Sequence, residues 1–276
     1  MHLPISARVC DEIGATLIWR GASASTNSEL VSQAAHADLT VIATDTQTAG
    51  RGRLDRAWST PPGTALAVSV FLAHEPGGGD SAPRPDPRRL GWVPLLAGVA
   101  MVRAVRSLGV TGAGLKWPND VLVDGRKLCG ILTELTPTGV VVGAGLNVSM
   151  TAQQVPVPSA TSLVIEGVPE HGEPVDGEGA SLLDRALAAY LRELMQLVAR
   201  WREAEHPADL RPLVEQHLQT LGLAVRVDLP GQPPLRGMAV GLDEDGRLTV
   251  SGVPDRSATS GVVAVAAGDV THLRYE

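Results

Sequence analysis

The sequence predicts an α+β fold: a mixed, largely antiparallel sheet with flanking helices, followed by a small C-terminal SH3-like β-barrel. Three observations carry this. Apolar runs of strand length mix with helix-period segments, without the regular strand–helix alternation of a doubly wound parallel sheet. A favoured hairpin dipeptide, Asp124-Gly125, joins consecutive apolar runs. Beyond Leu223 the helical period stops, and five short strands follow within about fifty residues. The two units divide as 1–221 and 222–276.

Taken in order, "ATLIWR" reads as a strand. "SASTNSELVSQAAHA" reads as a loop entering a helix, with Ser25, Thr26 and Asn27 as possible caps and Glu29 placed as in a capping box from Thr26. "LTVIATD" and "TALAVSVFLA" are strands bounded by turn residues. "HEPGGGDSAPRPDPRR" has the Pro, Gly and charge content of a surface loop. Leu90 to Leu108 shows helical spacing and reads as a buried helix. "GLKWPNDVLVDGRKLCGILTEL" reads as two strands joined by the Asp124-Gly125 hairpin, and "TGVVVGAGLNVS" as a glycine-interrupted strand. "EGVPEHGEPVDGEGA" reads as a second surface loop. "SLLDRALAAYLRELMQLVARWRE" is a strongly amphipathic helix, and "ADLRPLVEQHLQTLG" a further one.

Composition excludes several classes. The net charge of −7 over 276 residues argues against a general nucleic-acid binder, which needs a broadly basic face. No apolar run approaches the ~18 residues that cross a bilayer, so no membrane role is expected. Two isolated cysteines, Cys10 and Cys129, make neither a disulfide framework nor a metal cluster, and a reduced, cytoplasmic setting is expected. No signal segment is recognised at the N-terminus.

Three segments carry chemistry. In "TDTQTAGRGRLDRAW" (44–58) the glycines allow close backbone approach to a ligand, and the arginines supply permanent donors for phosphate or carboxylate. By itself this is equally a solvated basic loop. In "KWPND", Lys116 to Asp120, with Lys127 beyond it, two lysines and a carboxylate meet on adjacent strands and Asn119 adds an amide. Such lysines offset charge developing on a phosphoryl group, and an aspartate helps hold Mg²⁺. Lys127 taken alone also fits an exposed hairpin lysine. In "GAGLNVS", Gly143 and Gly145 interrupt an apolar strand, as at a β-bulge or where a ligand or another segment comes close; Asn147 would then face the same space.

Together "STN" (Ser25–Asn27), "TQTAGRGR…RAW" (Thr46–Trp58), "KWPNDV…GRKLCGIL.E" (Lys116–Glu134) and "GAGLNVS" (Gly143–Ser149) resemble the biotin–protein ligase family. The resemblance covers about Ala15 to Ser149, and the C-terminal strands are similar to that family's small barrel. It implies a class II synthetase-like catalytic domain over 1–221. It also implies a two-step reaction with biotin and ATP, the latter with Mg²⁺: formation of biotinyl-5′-AMP, then transfer of biotin to a lysine of a carrier protein. The implied partner is the biotin carboxyl-carrier domain of an acyl-CoA carboxylase, and the enzyme is either a monomer or a homodimer. A lipoate– or octanoyl–protein ligase of the same fold is the nearest alternative, and a non-catalytic biotin- or nucleotide-binding module a further one.

The resemblance also implies roles, position by position. Ser25, Thr26, Asn27 and Gln47 match the biotin pocket. Gly50, Arg51, Gly52 and Arg53 match a loop that closes over biotin and the adenylate. Trp58 is either the aromatic that covers the intermediate or an anchor for the end of that loop. Lys127 and Arg53 are the catalytic candidates, each also touching biotin and the nucleotide, with Gly130 and Gly145 beside the biotin. Arg56, Lys116, Asn119, Asp120 and Asn147 fall on the nucleotide side, Asp120 being the expected Mg²⁺ contact. The family loop carries a third glycine where this chain has Asp55, a residue better tolerated than most at positive φ. About two dozen residues precede "STN", too few for a winged-helix DNA-binding domain, so a ligase without a repressor role is expected.

Overall fold

A computed structural model describes residues 1–32, 36–74, 87–175, 178–229, 231, 233–252, 261–266 and 269–272. The chain opens with helix α1 (Pro4–Ile13), strand β1 (Thr16–Trp19), helix α2 (Thr26–Ser32) and strand β2 (Thr40–Thr44). A small hairpin, β3 (Gly50–Arg51) and β4 (Ala57–Trp58), precedes the long strand β5 (Ala65–Ala73). A short turn of helix, α3 (Pro87–Leu90), leads into α4 (Val93–Ser107). A meander follows: β6 (Ala113–Lys116), β7 (Asp120–Val123), β8 (Arg126–Leu135) and β9 (Gly139–Asn147). The hairpin β10 (His171–Val175) and β11 (Glu178–Ser181) feeds α5 (Leu182–Glu203), and the short helix α6 (Arg211–Glu215) closes the first unit. Strands β12 (Ala224–Asp228), β13 (Leu235–Leu242), β14 (Leu248–Ser251), β15 (Val262–Val265) and β16 (Asp269–His272) form the second.

The main sheet has seven strands in the order β1-β2-β5-β9-β8-β7-β6. Only β1–β2 is parallel. Because side chains alternate along a strand, the register separates two faces of different character. Leu66, Val68, Val70 and Leu72 of β5, with Val140, Val142, Ala144 and Leu146 of β9, join the main core with α4 and α5. The intervening positions include Ala67, Ser69, Gly143 and Gly145, all small. A face floored by small side chains leaves a concavity, and α2 packs over part of it through Leu30, Ile42, Phe71 and Val141.

The C-terminal strands form one five-stranded antiparallel sheet in the order β15-β14-β13-β12-β16, the barrel-like unit expected. Its β13–β14 turn is fixed to the larger unit by two indoles. Trp92 Nε1 donates to the Glu244 carbonyl at 3.0 Å, and Trp117 Nε1 donates to that of Gly246 at 3.1 Å. Glu215 adds an acceptor for the backbone N–H of Leu242 at 2.9 Å.

Several expectations change. The segment read as two strands is a three-stranded meander, because the Trp117–Asn119 turn ends β6 and starts β7. Its second turn is the expected hairpin, with Asp124 and Gly125 at φ 49° and 79°. "EGVPEHGEPVDGEGA" contains the β10–β11 hairpin rather than only loop. "ADLRPLVEQHLQTLG" holds a 3₁₀ turn (Pro207–Leu210) and the five-residue α6, then turns that dock on β6 through Leu115 N to His217 O and Gln219 N to Leu115 O. The loop expected at "HEPGGGDSAPRPDPRR" lies mostly outside the described residues. The stretch 88–107 is long and apolar enough to cross a membrane, but most of it is buried inside the protein, as befits a core helix.

Helix α1 has no strong sequence signal, and a distant carboxylate organises it. Asp184, itself N-terminal in α5, accepts from the Ile5 and Ser6 amides at 3.0 and 2.9 Å and from the Ser6 hydroxyl. The free N–H groups of a helix start thereby meet a buried negative charge. Asp184→Ala should lower unfolding free energy by about 1–2 kcal/mol, the upper range for a lost cap. Urea denaturation measures it, and an unmoved midpoint refutes the capping role.

Candidate active site

The concave face becomes a cleft because the 44–58 segment crosses it. Thr48 N and Ala49 N donate to the Ser23 and Ala24 carbonyls at 2.9 and 2.8 Å, which ties the start of this strap beside α2. Gly50 then pairs with Trp58, and Arg51 with Ala57. Between them a 3₁₀ turn (Arg53–Asp55) holds Leu54 at φ 54°, a left-handed conformation that a leucine adopts at a cost of about 1–2 kcal/mol. The left-handed strain described here is thus at Leu54, next to the position where the family carries glycine; the Asp55 side chain lies outside the described residues.

The Trp58 ring lies against Gly145, where a methyl group would come within 2.9 Å of it. Gly143 is closer still to the Asn27 amide, and no larger side chain fits without moving that amide. The strand glycines of β9 are therefore the seats of two side chains, not a bulge: β9 pairs continuously with β5 from Gly139 to Asn147.

One end of the cleft is polar and buried. Ser25 Oγ caps α2 by accepting from Ser28 N at 3.3 Å. Glu29, expected to pair with Thr26, instead accepts from the Ser23 hydroxyl and from Arg20 Nε at 3.0 Å. Burial opposes ionisation of Glu29, but those two donors carry its pKa below the ordinary value. Gln47 Oε1 accepts from Thr26 N at 2.9 Å. Ser69 Oγ lies 2.7 Å from Thr26 Oγ1 and donates to Asn27 Oδ1 at 2.6 Å.

The other end is charged. Lys127 Nζ lies 2.6 Å from Asp120 Oδ1, an ion contact without hydrogen-bond alignment; that oxygen is buried with no aligned donor. Arg53 Nη1 reaches across from the strap to Asn119 Oδ1 at 3.0 Å. Asn119 is held in turn by donating to the Ile131 carbonyl at 2.7 Å. The cleft encloses about 850 Å³, its open mouth included.

Ser25, Thr26, Asn27, Gln47, Arg51, Gly52, Arg53, Arg56, Trp58, Asn119, Asp120, Lys127, Gly130 and Gly145 all line this cleft. Three expected residues do not. Gly50 is a buried part of the strap itself, where a side chain would strike the Trp58 carbonyl. Asn147 is buried and donates to the Thr161 carbonyl at 2.8 Å, because its side chain fastens the 159–163 segment to β9. Lys116 sits at the end of β6 beside His272 of the C-terminal sheet; burial and then the Lys116 charge lower the pKa of that histidine. Unsingled by the sequence are Ala57, Ala67, Ile131, Leu132 and Ala144, which with Gly143 form the apolar and small part of the wall. For Ala67 the alternation along β5, which sets it on the face opposite Leu66 and Val68, was the available signal. Cys129 lies under Lys127 with its thiol pKa pushed far up by burial, so it is no nucleophile at neutral pH.

Residues 21–150 match the Biotin/lipoate A/B protein ligase family model. The chain is 38% identical to the biotin–[acetyl-CoA-carboxylase] ligase of Mycobacterium tuberculosis, over 95% of this chain and 92% of that protein. It is 32% identical to the bifunctional ligase/repressor BirA of Escherichia coli, over 73% of this chain and 58% of that protein. The biotin protein ligase of Aquifex aeolicus in complex with biotin and ATP has the same fold, with a TM-score of 0.70 at 24% identity, covering 94% of this chain and 99% of that one. The chain belongs to the biotin–protein ligase family.

Proposed function

We propose that this protein activates biotin with ATP and transfers it to a lysine of a carrier protein. The observation that carries this is a single cleft with a buried polar end at Ser25–Asn27 and Gln47 and a cationic end at Arg53, Arg56 and Lys127. A neutral ring fits the first, and a carboxylate beside a phosphate fits the second. In step one a biotin carboxylate oxygen attacks the α-phosphorus of ATP, the bond to the β,γ-diphosphate breaks, and pyrophosphate leaves. In step two the carrier lysine nitrogen attacks the acyl carbon, the acyl–oxygen bond breaks, AMP leaves, and the new amide nitrogen gives up a proton.

The chain's own residues supply position, charge and dryness. Arg53 and Lys127 approach from opposite walls, so both can meet negative charge developing at the phosphate. The strap with Trp58 covers the acyl-adenylate against water. The Asp120 carboxylate, at the charged end of the cleft, suits one contact to Mg²⁺. Among the described residues no cluster of three ligating side chains exists. When bound, Mg²⁺ would neutralise phosphate charge at this end. We place the enzyme in the cytoplasm, in keeping with two buried free thiols, and take a biotin carboxyl-carrier domain as its acceptor.

The test is incubation with biotin, Mg-ATP and a biotin-carrier domain, followed by mass analysis of the carrier lysine. Absence of modification while lipoate is transferred points to the sister activity. Biotin binding without pyrophosphate release points to a binding module. Arg53→Ala should speed release of biotinyl-5′-AMP roughly tenfold, as expected for one lost charge-assisted hydrogen bond. Unchanged release in a stopped-flow chase removes Arg53 from retention.

A further inference from the structure

Glu134 ends the motif Lys116–Glu134 and does not line the cleft. It lies near the end of β8, in register with Val141 of β9. Its two carboxylate oxygens have different partners. Oε2 accepts from Asn27 Nδ2 at 2.9 Å, and Oε1 lies 3.0 Å from Arg51 Nη1. Asn27 belongs to the buried polar end of the cleft, and Arg51 belongs to the strap.

We propose that Glu134 is a positioning residue for the biotin site, latching the strap to the cleft floor through Arg51 and Asn27. The inference rests on the biotin reading above. The Asn27 amide cannot turn over freely, since Ser69 Oγ donates to its oxygen at 2.6 Å while its nitrogen donates to the Leu132 carbonyl at 3.2 Å and to Glu134. That leaves Glu134 an oxygen fixed in direction, and the second oxygen aims at the strap. Only a carboxylate presents two acceptors to two donors here; a glutamine presents one acceptor and a pair of N–H groups. Arg51 also reaches Ser28 Oγ at 3.4 Å, so its guanidinium spans from Glu134 to α2. Because the Arg51 side chain is 47% exposed and Glu134 19%, the pair is a partly solvated tie, able to open. Glu134 does not touch the reacting atoms; it acts by holding two groups that wall the cleft.

The experiment compares wild type, Glu134→Gln, Arg51→Ala and the double variant. In ligand-free protein, trypsin should cut the Arg53–Leu54 bond about two- to fivefold faster in Glu134→Gln, the range for one partly exposed ion pair. Equal cutting overturns the latch whether or not the protein makes an adenylate. In the pyrophosphate-release assay, biotin KM should rise by about the same factor, kcat at saturating biotin should stay within about twofold, and the KM effect should shrink near ~1 M salt. Glu134→Gln should add nothing to Arg51→Ala. Effects that multiply in the double variant, or a kcat loss as large as the KM rise, overturn the proposal. If wild type releases no pyrophosphate with biotin, the proposed function fails, and the proteolysis comparison still decides the latch.

Discussion

Replacing Lys127 by alanine should lower the single-turnover rate of biotinyl-5′-AMP formation by about 10²–10³, the usual effect of losing one preorganised electrostatic donor. Biotin affinity should fall only modestly. The reason is placement. The backbone of Lys127 is pinned on both sides, its N–H donating to Ser159 O at 2.7 Å and its carbonyl accepting from Thr161 N at 2.9 Å. The side chain leaves this anchor to reach Asp120 at the charged end of the cleft, far from the Ser25–Asn27 end along the wall. Asp120 keeps the ammonium oriented before nucleotide arrives, and pentacovalent phosphorus would then give it a second negative partner. A nearly wild-type rate in a quenched-flow measurement would remove Lys127 from this role.

Gly143→Ala should weaken biotin binding by roughly five- to a hundredfold, the equivalent of about 1–3 kcal/mol of overpacking. The added methyl group would occupy the place of the Asn27 amide oxygen. Relief by a rotamer change is blocked, because Ser69, Leu132 and Glu134 hold that amide from three directions. The substitution adds no charge and removes no donor, so any loss reports the seat itself. Isothermal titration with biotin measures it. Wild-type affinity would show that Asn27 has room to move and that the small-residue floor is not what shapes the pocket.

Much of the architecture was legible in local patterns. Strands β2, β5, β8 and β9 announce themselves by apolar runs between turn residues, and α4 and α5 by helical spacing with Ser181 capping the latter. What stayed hidden depends on contacts far apart in sequence. Helix α1 is short, and its start is organised by Asp184, 179 residues from Ile5. The capping-box pattern Thr26–Glu29 was misleading because Ser23 and Arg20 fold back onto Glu29 first. The candidate site was legible as a conjunction of motifs, but their orientation was not. Lys116 precedes a turn that swings it toward the C-terminal sheet, and Asn147 faces a loop carbonyl instead of the cleft. Glu134 in "ILTEL" looks like any polar residue alternating along a strand, and only the folded partners give it meaning.

The turn carrying Asn119 and Asp120 is shaped partly from outside its own unit. The Trp117 indole ends on a carbonyl 129 residues further along the chain. Trp92 makes a parallel attachment at the start of α4. Cutting near residue 221 would bare two indoles and strip the mould from that turn. Removing the strands beyond Leu223 should therefore disturb the cleft as well as the C-terminal sheet.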